Sequence, residues 1–122
     1  MIRGCGVDIS ASERFASLER AVIERLFSPM ELEEALSITD DDALLNFYAS
    51  RFAAKEALSK ALGCGFKGFS PTDVTVVSDH QGAPYFLLEG NVKALVGESK
   101  IHLSLSHERS YSVAMVVLDG EK

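Results

Sequence analysis

Between Asp42 and Leu62 the chain runs through good helix formers with no Pro or Gly, and Gly63 follows as a ready C-cap. The acidic stretch Thr39 to Asp42 suits a helix N-terminus, while Lys55 and Lys60 stand towards the C-terminal end. A helix is therefore expected from about Asp42 to Leu62, and any fold has to be built around it. On that helix Glu56 and Lys60 are four residues apart and share a face. Lys55 and Ser59 form a second such pair, one step round. Most of the charge asymmetry is explained by helix stability alone.

The remaining elements follow from period and punctuation. Ile2 to Ile9 reads as a strand in which Gly4 and Gly6 permit close backbone approach. Ser10 to Glu13 fits a capping box, followed by a helix with Phe15, Leu18, Val22 and Leu26 on one stripe. Arg14 and Arg25 would then project to nearly the same side of it. Ser28, Pro29 and Glu31 start a short helix that runs to about Ser37. Val74 to Ser78 and Tyr85 to Leu88 form a hairpin around the turn at Asp79 to Pro84. A short helix from Gly90 to Val96 comes next. Ile101 to Ser106 alternates with Ile101, Leu103 and Leu105 on one face, and Tyr111 to Leu118 is the last strand. This order predicts an α+β fold: residues 1–122 as one compact domain, with a mainly antiparallel sheet packed against one long helix and shorter helices.

Composition narrows the function. The 122 residues are 47% hydrophobic and 25% charged, enough to bury a core, and the net charge is −6. That sign argues against a general nucleic-acid binder. It leaves room for an anionic small molecule held by a local basic cluster. The longest apolar run, around Val113 to Leu118, is too short for a bilayer, which takes ~20 residues. With no signal peptide visible, a cytoplasmic protein is expected, with Cys5 and Cys64 as reduced thiols. Their spacing carries no zinc signature.

Asp8 lies in an apolar stretch, where an unpaired charge is costly to bury. Two converging carboxylates, Asp8 and Glu56, would repel each other unless a divalent cation relieved them. Read from spacing alone, Asp8 ends a strand and Glu56 pairs with Lys60. Lys55 and Lys60 are candidate phosphate holders or members of an exposed helix face. His107 is a phosphate contact, a proton carrier or a strand-end residue. Ser104 and Ser106 lack the elbow motif of a serine hydrolase. Gly63 and Gly65 lack the spacing of a nucleotide-binding loop.

The joint order of the pieces decides among these. Gly6-Val7-Asp8-Ile9 and Glu13-Arg14-Phe15 are followed by Phe27-Ser28 and Glu31-Leu32. Arg51-Phe52-Ala53-Ala54-Lys55-Glu56-Ala57 leads into Lys60-Ala61-Leu62-Gly63, then Gly65-Phe66. Gly82-Ala83-Pro84 marks the hairpin, and Leu103-Ser104-Leu105-Ser106-His107-Glu108 comes near the end. This set resembles the holo-[acyl-carrier-protein] synthases, the small type of 4'-phosphopantetheinyl transferase, over nearly the whole chain. Cys5 and Ser112 depart from the residues usual at their positions without removing a functional group.

The resemblance implies transfer of the phosphopantetheine arm of coenzyme A to a serine of apo acyl carrier protein, as in fatty acid biosynthesis, with release of adenosine 3',5'-bisphosphate. It implies that Asp8 and Glu56 ligate Mg²⁺ and that Lys60 stands near the phosphates. It places Arg51 and His107 at the adenylate end and its 3'-phosphate. Gly63, Gly65, Pro84 and Ser106 belong to the same motifs and are expected among the coenzyme A contacts. It further implies a homotrimer with sites between subunits. Arg14 matches a carrier-docking arginine, and the helical wheel adds Arg25. The base that takes the serine proton stays open between Glu56 and a metal-bound water near Asp8. A non-catalytic module that binds coenzyme A or a carrier protein is the alternative.

Overall fold

The structure, a computed structural model, describes residues 1–121. Helix α3, Asp41–Leu62, is its axis. The Asp40 carboxylate caps it by accepting from Ala43 N at 2.8 Å, and Asp41 and Asp42 occupy the first turn. Gly63 ends it in the left-handed region at φ 78°. Strands β1 (Ile2–Ala11), β4 (Lys100–Glu108) and β5 (Tyr111–Asp119) form one antiparallel sheet in the order β1-β5-β4. Strands β2 (Val74–Ser78) and β3 (Pro84–Leu88) form a separate antiparallel hairpin. Helices α1 (Arg20–Leu26), α2 (Pro29–Leu36) and α4 (Gly90–Val96) complete the fold. The expected α+β architecture is the one observed. No helix among the described residues is long and apolar enough to cross a membrane.

The sheet meets α3 at unusually short range. A Cβ on Gly4 would lie 2.2 Å from the Ala61 carbonyl oxygen, and one on Gly6 2.1 Å from that of Ala57. Neither position has room for any side chain. Small residues on the helix answer the glycines: Ala53, Ala54, Ala57 and Ala61 are all buried. Val116, Leu118, Val74, Val76 and Val92 close the core around them. A second core lies at the other half of α3, where Phe15, Phe27, Phe47, Tyr48 and Phe52 stack edge to face or tilted.

The segment after β1 differs from expectation. Ser10 does not open a helix, because β1 continues through Ala11, which pairs with Tyr111, and Ser12 N then donates to Ser110 O at 2.7 Å. The ladder holds Ser10 in the strand, and its hydroxyl caps nothing. Ser12–Phe15 is a single 3-10 turn with no side-chain cap, and it delivers Phe15 to the aromatic core. The chain opens again before α1, which buries Ile23 rather than Val22. Arg14 and Arg25 therefore do not share a helix. By contrast, the capping box of Ser28 and Glu31 is present in both directions, with Pro29 as first helical residue. Cys5 and Cys64 are free thiols.

Gly6→Ala is expected to force β1 off the helix and to cost roughly 3 kcal/mol, the upper end for overpacking against a rigid neighbour. Urea denaturation of the two proteins measures it.

Candidate functional site

Alternation along β1 turns Gly6, Asp8 and Ser10 towards α3, and the missing side chain at Gly6 lets the strand settle where Asp8 reaches the helix. There it meets Lys60. The ammonium donates to Asp8 Oδ1 at 3.1 Å and to Val7 O at 2.9 Å. The Asp8 side chain is only 16% exposed and that of Lys60 52%, so the pair sits in a wall that opens on one side. Lys60 thus pairs with Asp8, not with Glu56, its partner four residues back. Glu56 is half-buried in the same group. Its carboxyl is held above the ordinary carboxylate range, by burial first and by the Asp8 charge second, against the opposing pull of Lys60 and Arg14. Arg14 lies over the Phe52 ring at 5.3 Å. Asp8, Glu56, Lys60 and Arg14 form one electrostatic cluster: two acids that repel, flanked by two cations.

A second group lines a cleft of about 450 Å³ between α3 and the ends of β4 and β5. Arg51, Ser106 and His107 all line it, joined by Asn46, Ser50 and Ser112. Arg51 donates from Nη1 to Ser50 Oγ at 3.0 Å, lies 4.4 Å above the Phe47 ring and stands 3.8 Å from Glu34. Its buried Nε has no partner. Burial lowers the pKa of this guanidinium, opposed by Glu34 and Glu31. Asn46 and Ser50 escape a reading of the sequence because they stand four apart on a helix that carries many polar residues. Ser112 stands out in the sequence only as a departure from the residue usual at its position.

The other candidates lie outside both groups. Gly63 and Gly65 (φ 60°) shape the exit of α3 and face open space where a side chain would start. Pro84 pairs with Ser78 in the hairpin and does not line the cleft. Arg25 is exposed on α1. Lys55 is withdrawn as a phosphate holder. It is fully buried, and its three donors are spent on Glu31 Oε1 (2.5 Å), Leu26 O and Pro71 O (both 2.9 Å). Desolvation lowers its pKa, with Glu31 opposing.

An α+β fold that carries an acid pair beside a half-exposed lysine is equipped for chemistry on a phosphate-bearing ligand. The comparisons with known proteins identify the family. The sequence model of the 4'-phosphopantetheinyl transferase superfamily matches residues 4–116. The holo-[acyl-carrier-protein] synthase of Treponema denticola is 41% identical over 98% of this chain and 100% of its own. The crystal structure of a holo-(acyl-carrier-protein) synthase from Bacillus anthracis, in complex with CoA (3',5'-ADP), superposes with a TM-score of 0.86 at 36% identity, covering 99% of each chain. That of Neisseria meningitidis gives 0.88 at 32%, covering 98% of this chain and 100% of that one. The chain belongs to the 4'-phosphopantetheinyl transferase superfamily and is a transferase.

The raised Glu56 pKa has a defined sign. Folding tightens proton binding there, so its contribution to stability is full below the unfolded-state pKa and is lost as pH rises through the folded one. Asp8→Asn removes the like charge and frees Lys60 to turn towards Glu56. The Glu56 carboxyl titration, followed by NMR, should move down. An unchanged titration would mean the two acids are not coupled.

Proposed function

We propose that this protein transfers the 4'-phosphopantetheine arm of coenzyme A to a serine hydroxyl of apo acyl carrier protein, releasing adenosine 3',5'-bisphosphate. The observation that carries the proposal is the convergence of Asp8, Glu56 and Lys60 where β1 crosses α3. Asp8 and Glu56 would hold Mg²⁺. Their mutual repulsion is the condition that a divalent cation relieves. Among the described residues no third acid, His or Cys completes a metal cluster, which leaves the remaining positions to water and phosphate oxygens, as Mg²⁺ prefers. When bound, the ion supplies charge neutralisation on the pyrophosphate oxygens. Lys60, half exposed and tied to one acid only, adds a positive charge that can turn to the phosphates.

Arg51 and His107, with Ser106, would receive the adenylate end and its 3'-phosphate. Arg51 supports this with a buried donor that has no partner. Gly63 and Gly65 would leave the exit of α3 open to the ligand, and Pro84 would reach it only across a subunit boundary. Asp8 and His107 stand on opposite edges of the three-stranded sheet, with β5 between them; two strand spacings across and two residues along put their backbones roughly 12 Å apart. A site shared between subunits of a homotrimer fits that separation. The outer face of the same sheet supports assembly. It exposes Val7, Ile9, Tyr111 and Met115, and Val7 pairs directly with Met115. Arg14, beside the acid pair, would receive an acidic carrier protein, and Arg25, exposed on α1 rather than on a helix shared with Arg14, would offer it a second charge. The reaction would take place in the cytoplasm.

Mass spectrometry of apo acyl carrier protein after incubation with coenzyme A and Mg²⁺ tests the reading. A gain of one phosphopantetheine is expected, and no gain favours a non-catalytic binder. Asp8→Ala and Glu56→Ala should each lower turnover at least 100-fold with the fold retained. Ile9→Glu should shift the protein to monomer in light scattering and abolish turnover with it.

A further inference from the structure

We infer that Lys55 is a positioning residue: it pins the C-terminal end of α1 to the turn of α3 that bears Glu56, and so sets where a carrier protein docks relative to the acid pair. The functional half of this inference rests on the transferase reading above. Helix α1 has only seven residues, no side-chain N-cap and one buried residue, Ile23. A helix that short is not stable by itself. What it has is a cation at its C-terminus from another element, since the Lys55 ammonium donates to Leu26 O at 2.9 Å.

The same ammonium reaches Pro71 O and the Glu31 carboxylate. Glu31 in turn accepts from Ser28 N and Val76 N, and Ser28 Oγ accepts from Thr75 Oγ1 at 2.6 Å. The network joins the end of α1, the start of α2 and strand β2 at one buried point. Lys55 and Glu56 are neighbours on α3, so they project about 100° apart from one turn. One side of that turn carries the acid, and the other carries the anchor of the helix with Arg25. Transfer to a protein-borne serine depends on holding that spacing, because small misplacements of a nucleophile are expensive.

Lys55→Met and the double variant Lys55→Met/Glu31→Gln test this in the full-length protein, with two readouts. Hydrogen exchange of residues 20–26 should rise at least tenfold in both variants while exchange in α3 stays put. The KM for apo acyl carrier protein should rise roughly tenfold, with the KM for coenzyme A within about twofold of the parent. The single variant leaves Glu31 buried without its partner and should lose Tm, and the double should regain part of that loss with the carrier KM still raised. A purely structural role predicts instead that carrier KM recovers along with Tm, which overturns the inference. So does unchanged exchange in α1, or a rise confined to the coenzyme A KM. If the parent protein itself transfers nothing, the transferase reading falls, and the exchange data still decide whether the anchor exists.

Discussion

The contact of two backbones, β1 on α3, governs this molecule. Gly4 and Gly6 bring the strand within van der Waals range of the carbonyl groups of Ala61 and Ala57. A single methyl at either glycine would prop the strand away from the helix. The strand carries Asp8 two residues beyond Gly6, and the helix carries Glu56 one residue before Ala57. The separation of the acids is therefore fixed by main-chain packing, the stiffest kind of contact a protein interior has. The site inherits its geometry from the core and needs no loop to hold it.

Along the same helix two lysines five residues apart have opposite fates. Lys55 is sealed in and has every donor committed. Lys60 is half exposed and has formed one ion pair at the rim. An exposed pair of that kind is weak and readily exchanged for another anion. A buried pair is hard to break, because separation leaves a bare charge in an apolar setting. Burial alone thus separates a committed lysine from an available one of identical chemistry.

That division explains how far the sequence could be read. Helix α3, the hairpin and the strands β4 and β5 were legible because period, caps and turn residues agreed with each other. Asp8, Glu56 and Lys60 were legible as a set only through the order of motifs, since nothing local says that residues so far apart in the chain will meet. Lys55 fits neither reading, phosphate holder or exposed helix face, because a helical wheel cannot tell which flank of α3 will be covered by α1 and α2. The segment after Ile9 was misjudged as helix because its capping signals are local, whereas the pairing with β5 that overrides them comes from the far end of the chain. Asn46 and Ser50 carried no signal at all; their cleft exists only once β4 arrives.

The two sides of β1 answer to different constraints. Positions 4 and 6 admit nothing but hydrogen, so the inner surface is frozen. Cys5, Val7 and Ile9 point the other way, and their identity is set only by whatever lies against them. A substitution there leaves the contact of Gly4 and Gly6 with α3, and with it the place of Asp8, unchanged. One ten-residue ribbon thereby has one face closed to every side chain at two positions and a reverse face open to choice.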